Sequence, residues 1–63
     1  MTLKELRKFR DMSQQKLAEN AGISQTYIAH MELGYLKNPS QAIIKKLAQA
    51  LEVSPMEIMN FFP

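Results

Sequence analysis

The chain contains no cysteine, which excludes a disulfide framework or a thiolate-bound metal as a source of stability. No apolar run approaches the length of a membrane span. The opening residues, MTLKELRKFR, are charged and amphipathic and hold no apolar signal-peptide core, so a cytoplasmic protein is the expectation. Excess charge of one sign is small: the formal net charge is +2 and the sequence pI about 9.2. So mild a balance does not by itself point to nucleic acid. Its placement says more. Lys4, Arg7, Lys8 and Arg10 crowd the start, Lys37, Lys45 and Lys46 lie in the second half, and the acids are scattered. There is no strand signal, internal repeat, low-complexity segment or linker. What remains is 63 residues with a hydrophobic fraction of 46%, enough for a compact globule and too much for disorder. One domain, residues 1–63, with a small core held by helix packing, is expected.

The helix signals are local and strong. Thr2-x-x-Glu5 is a capping box, in which each side chain satisfies a backbone N–H at the helix start. Leu3, Leu6 and Arg10 recur at helical spacing with Arg7 beside them, and the cations gather toward the end where the helix dipole favours them. Asp11 and Met12 make a turn. Ser13 caps a second helix from Gln14 to Asn20 or Ala21, and a third runs from Gln25 to Leu33, ended by Gly34. Tyr35 to Pro39 is a loop, because the residue before a proline is pushed out of the helical region. Ser40 caps a fourth helix, Gln41 to Leu51, whose Ile43, Ile44, Leu47, Ala48 and Leu51 form an apolar stripe. Ser54, Pro55 and Glu57 supply cap, first-turn proline and capping-box glutamate for a short fifth helix, Pro55 to Asn60, followed by Phe61-Phe62-Pro63. The class is all-α, with five helices joined by short turns.

The segment Gln14 to Leu33 organises the rest. Leu17, Ala18 and Ala21 share one face of the second helix, and Ile28 and Met31 one face of the third. Between them, Gly22 can adopt the left-handed conformation that ends a helix, and Ser24 can cap the next one. Ala18 is small where two helices cross steeply beside their shared turn. This is the pattern of a helix-turn-helix spanning about 14–33, whose second helix can lie in the DNA major groove. With Ile28 and Met31 turned to the core, the outer face of that helix holds Gln25, Thr26, Ala29 and His30.

From about Leu3 to Ile58 the chain also resembles a known family. The matching residues are Leu3-x-x-Leu6-Arg7, Ser13-Gln14-x-x-Leu17-Ala18, Gly22-Ile23-Ser24, Tyr27-Ile28, Glu32-x-Gly34, Asn38-Pro39-Ser40 and Leu47-Ala48-x-Ala50-Leu51-x-Val53. In order and without gaps, they are similar to the DNA-binding domains of lambda-repressor-like, Cro-like (XRE-type) regulators. The resemblance implies a compact five-helix bundle and sequence-specific binding to duplex DNA. It further implies a homodimer, at least on DNA, at an inverted-repeat operator, with repression as the expected mode. Two departures stand out. Asp11 occupies a turn position where many relatives have Gly or Asn, a change tolerated because Asp can enter the left-handed region. The loop after Gly34 carries one basic residue, Lys37, where relatives often have several.

By this resemblance Gln25, Thr26, Ala29 and His30 fall on the family's base-reading positions. The chemistry suits the role: Gln pairs with adenine N6 and N7, Thr and Ala touch a thymine methyl, and His donates to guanine N7 or O6. Gln14 begins a helix whose N–H groups attract phosphate, and in relatives the Gln here also braces the first residue of the reading helix, which would be Gln25. Tyr27 either meets a phosphate or sugar or packs against the loop. Lys37 and Asn38 are expected on the DNA backbone, where contacts give affinity and register. Arg7 and Glu32 match a family ion pair joining the first and third helices. A solvated pair there would contribute ~0–1 kcal/mol, whereas stranding one partner of a buried pair would cost ~3–5 kcal/mol. With no second histidine or cysteine nearby, His30 is not read as a metal ligand, and no metal or cofactor is expected.

A rival to the DNA-binding regulator is a small protein-interaction module, antitoxin-like or otherwise partner-binding, with weak DNA binding. Its relevant feature is the run Ile58, Met59, Phe61 and Phe62, more large apolar residues than one face of a short helix can bury, and so a possible surface for a second subunit. An enzyme is not expected, because the sequence offers no nucleophile–base arrangement, phosphate-cradling loop or metal cluster.

Overall fold

Five helices follow one another, α1 (Leu3–Phe9), α2 (Gln14–Ala21), α3 (Gln25–Glu32), α4 (Gln41–Leu51) and α5 (Pro55–Met59), in a computed structural model that describes residues 1–62. Each starts by the same chemistry. Thr2, Ser13, Ser24, Ser40 and Ser54 sit in extended backbone, and each hydroxyl accepts the N–H of the residue three further on. At α1 the box is complete: Thr2 Oγ1 accepts from the Glu5 N–H at 3.1 Å, and the Glu5 carboxylate accepts from the Thr2 N–H at 2.8 Å. The Thr2 N–H and hydroxyl hold the Glu5 carboxyl below its ordinary pKa. At α5 the Ser54 hydroxyl accepts from the Glu57 N–H at 3.3 Å.

Four of the helices also stop alike. Asp11, Gly22, Gly34 and Glu52 all have positive φ, between 60° and 84°. The chain turns back there, and the next N–H reaches the carbonyl five residues earlier: Met12 to Arg7 at 3.1 Å, Ile23 to Ala18 at 3.1 Å, Tyr35 to His30 at 2.8 Å and Val53 to Ala48 at 3.0 Å. This bond satisfies a carbonyl that the helix end would otherwise orphan. Asp11 takes the left-handed conformation as its residue type allows. Leu33 and Asn60 cap α3 and α5 rather than continuing them, one residue short of the expected ends.

The core is the meeting of the apolar stripes. Leu17 from α2, Ile28 from α3, Leu47 and Leu51 from α4 and Ile58 from α5 are fully buried, and Leu3 and Leu6 of α1 close one side. Helix α4 packs against both α2 and α5, which follows from its stripe: Ile44, Leu47, Ala48 and Leu51 are buried and Ile43 is partly so. Ala18 and Ala21 are buried where α2 meets α3. The surplus expected in the C-terminal apolar run is smaller than its composition suggests. Ile58 is wholly within the monomer core and so is withdrawn from any surface offered to a second subunit; Phe61 and Phe62 pack partly against the core, and Met59 is left exposed. Among the described residues no helix is long and apolar enough to cross a membrane.

Candidate nucleic-acid interface

Helix α3 is set by its two ends. At its start, Gly22 (φ +70°) ends α2, Ile23 packs against the core, and Ser24 accepts the Tyr27 N–H at 3.0 Å. A Cβ on Gly22 would meet nothing within 4 Å, so the glycine answers to backbone conformation and not to crowding. At its far end, Gly34 (φ +84°) turns the chain out of the helix. Between these stops Ile28 and Met31 are buried, while Gln25, Thr26 and His30 are exposed and Ala29 half-buried. The four residues expected to read bases therefore share the outward side of one helix. Tyr27 is half-buried and packs against the core, and Lys37 and Asn38 lie exposed in the loop that leaves α3.

The pitch of α3 is held by a buried polar cluster. Arg7 Nε donates to Glu32 Oε2 at 2.7 Å and Arg7 Nη2 to Oε1 at 3.2 Å, a two-pronged pair. Arg7 Nη1 donates to the Met12 carbonyl at 2.7 Å, and Gln14 Nε2 donates to Glu32 Oε1 at 3.1 Å. The two charged side chains are 7% and 4% exposed, so this is a buried pair and not a solvated one. It joins α1, the α1–α2 turn, the start of α2 and the end of α3. Burial pushes the Glu32 carboxyl up, but the hydrogen bonds from Arg7 and Gln14, with the charges of Arg7 and Lys4, bring it to a net position below its ordinary pKa. No buried side-chain nitrogen or oxygen among the described residues lacks a partner. Gln14 thus braces Glu32 and not Gln25. A buried carboxylate is a stronger acceptor than a second amide at the surface.

Two features escaped the sequence reading. Arg10 leaves α1 to donate from Nε to the Leu51 carbonyl at 2.9 Å, tying α1 to the end of α4; its place in the Leu3–Leu6 stripe was the available signal. Tyr35 stands beside His30, with ring centroids 5.5 Å apart and tilted by 58°.

The N-terminal ends also differ in charge. Helices α1 and α5 carry Glu5 and Glu57 in their first turns, where an acid complements the dipole, whereas α2, α3 and α4 carry no acid there. No acid of their own first turn faces the positive ends of these three helices.

A helix-turn-helix family model matches residues 3–58, nearly the whole chain. The chain belongs to the helix-turn-helix family. It is similar to the HTH-type transcriptional regulator SinR of Bacillus licheniformis, with 33% identity over 58 residues that cover 92% of this chain and 52% of SinR. The chain thus spans about half the length of that relative. Among solved structures, the restriction-modification controller protein C.AhdI of Aeromonas hydrophila superposes with a TM-score of 0.82 at 39% identity, covering 89% of this chain and 83% of that one. The N-terminal DNA binding domain of SinR from Bacillus subtilis superposes with a TM-score of 0.85 at 32% identity, covering 90% and 83%. In the present chain α2, the Gly22 turn and α3 follow one another as helix, tight turn and helix.

Proposed function

We propose that this chain is a sequence-specific, duplex-DNA-binding regulator of transcription that lays α3 in the major groove. The observation that carries the proposal is the outward face of α3, where Gln25, Thr26 and His30 stand exposed on a helix fixed from behind by the buried Arg7–Glu32–Gln14 cluster. Preorganised side chains on a rigid helix are what base reading requires, since each two-pronged contact is worth ~1–3 kcal/mol only if it is held in register. The acid-free starts of α2, α3 and α4 suit the approach of phosphates, because helix N-termini present unsatisfied N–H groups and a positive dipole. The backbone N–H groups at Gln14, with Tyr27, Lys37 and Asn38, are assigned to the DNA backbone on either side of the groove. Similarity to a transcriptional regulator, a controller protein and a DNA binding domain supports the reading as a DNA-binding regulator.

The Cα trace extends 25 × 22 × 21 Å, shorter than the ~34 Å between half-sites one helical turn apart. One copy therefore covers one half-site, and a homodimer on an inverted repeat is the proposed DNA-bound form, with Met59, Phe61 and Phe62 as its candidate surface. Repression is the proposed mode, since it needs no more than occupancy of an operator, and the cytoplasm is the proposed location. The test is selection of bound sequences from random duplex DNA at defined salt. An enriched inverted repeat is the expected result. Binding that stays unselective and disappears near ~0.2 M salt would be phosphate attraction alone, and it would favour a partner-binding module instead.

A further inference from the structure

Tyr35 is 71% exposed, yet its place is tightly specified. Gly34 in the left-handed conformation turns the chain back so that the Tyr35 N–H donates to the His30 carbonyl at 2.8 Å. The same turn sets the phenol ring against the His30 imidazole, centroids 5.5 Å apart and tilted by 58°, within the range of a favourable aromatic pair. An exposed imidazole on a helix would otherwise sample several staggered rotamers. Other neighbours of this loop do different work: Leu36 packs against the core and Lys37 is an exposed cation. We propose that Tyr35 is a specificity-determining positioning residue, which buttresses His30 in the rotamer that presents its ring nitrogens to a base edge. The proposal rests on the reading that α3 enters the major groove. A pair of this kind biases the rotamer population about two- to tenfold, so Tyr35 sharpens discrimination at the base pair that His30 reads without touching the base itself.

The experiment compares wild type, Tyr35→Ala, Tyr35→Phe, His30→Ala and the Tyr35→Ala/His30→Ala double variant in two assays. In the first, NMR of the free protein follows the His30 ring protons. Tyr35→Ala is expected to move them by removing the ring current, and Tyr35→Phe to leave them near their wild-type positions. In the second, affinity is measured on the selected operator, on operators changed one base pair at a time, and on random duplex. Tyr35→Ala is expected to lose about two- to tenfold of discrimination at the base pair where His30→Ala acts, with random-duplex affinity unchanged. Tyr35→Phe should keep that discrimination, and the double variant should lose no more than His30→Ala alone. Additive losses in the double variant would overturn the proposal. So would equal weakening on operator and random duplex in Tyr35→Ala and Tyr35→Phe alike, which is the behaviour of a phenol that contacts phosphate. If the ring protons do not move while wild type stays selective, the role of Tyr35 fails alone. If wild type shows no selectivity at all, the groove assignment of α3 fails and takes this role with it.

Discussion

The α2–α3 unit and the frame around it are built from the same helix chemistry but resolve its conflicts differently. In the unit, both left-handed stops are glycines, Gly22 and Gly34, and neither helix carries an acid in its first turn. In the frame, the stops that end α1 and α4 are Asp11 and Glu52, and α1 and α5 carry first-turn glutamates. Glu52 is a costly choice, because a non-glycine residue there meets a clash between its Cβ and the neighbouring carbonyl. Beside it Arg10, at the end of α1, donates from its guanidinium to the Leu51 carbonyl at 2.9 Å. The frame's other cross-tie is Arg7, which reaches from α1 to the end of α3. The difference separates two tasks. The frame carries the strained stops and shares the buried Arg7–Glu32 charge pair with α3, and the unit is left with relaxed turns and an uncommitted outer face.

The sharpest way to break that division is to remove the tie itself. Glu32→Ala leaves the Arg7 guanidinium buried with the Met12 carbonyl as its remaining partner. Stranding a buried charge costs about 3–5 kcal/mol, comparable to what a core this small supplies in total. Urea titration and thermal melts should show a chain largely unfolded near room temperature, and a variant that melts close to wild type would show that the pair is dispensable. The same pair sets a pH dependence. Its folded-state pKa is lowered, so the stability that Glu32 contributes is complete above its unfolded value, near ~4.3. That contribution is lost as pH falls through the lower folded value. Melts between pH 7 and 3 should show wild type weakening in this acid window, and Glu32→Gln, if it folds, with a shallower slope.

On the outer face the comparison predicts effects on DNA and not on folding. Gln25→Ala should erase about 1–3 kcal/mol of preference between operator and altered operator, and leave the melt unchanged because the side chain is exposed. Lys37→Ala should weaken all duplexes alike and reduce the salt slope by about 0.9, the loss of one phosphate contact. Binding curves on operator and random DNA across a salt series separate the two. Equal losses on both DNAs for both variants would deny α3 its reading role.

Helix starts were legible to the residue because a Ser or Thr hydroxyl at the cap is a chemical requirement written into the sequence at all five positions. The ends were less so. Gly22 and Gly34 announce a left-handed stop, but nothing in Glu52 does; that turn follows where the stripe of α4 ends at Leu51, whose carbonyl accepts from Arg10. The buried pairing of Arg7 with Glu32 followed from the resemblance, and the partner of Gln14 did not, because hydrogen bonds between distant helices depend on which acceptor is buried within reach. Composition also overstated the C-terminal patch. Four large apolar residues in a row of five do not reveal which one the core will take, and it takes Ile58 completely. The outward face of α3 was readable from helical period alone, whereas the ring of Tyr35 beside it depends on the geometry of the Gly34 turn.

The two kinds of stop can be exchanged, and the smallest effect expected here is also the most direct measure of the comparison. Gly22→Ala adds a Cβ that meets no atom within 4 Å, so its penalty is the left-handed conformation itself, about 1–2 kcal/mol. Part of this is offset, because alanine leaves the unfolded chain less freedom to lose, by ~0.5–1 kcal/mol. Glu52→Gly runs the other way: it relieves the strain at φ 60° and restores that unfolded-state freedom. The net change is a gain of about 0.5–1 kcal/mol. Denaturant midpoints should therefore move down for Gly22→Ala and up for Glu52→Gly, with unchanged slopes. Repeating Glu52→Gly on an Arg10→Ala background tests whether the arginine is what makes the glutamate tolerable. If it is, the gain from glycine grows once Arg10 is gone; an equal gain on both backgrounds would mean that Arg10 ties α1 to α4 without easing the turn.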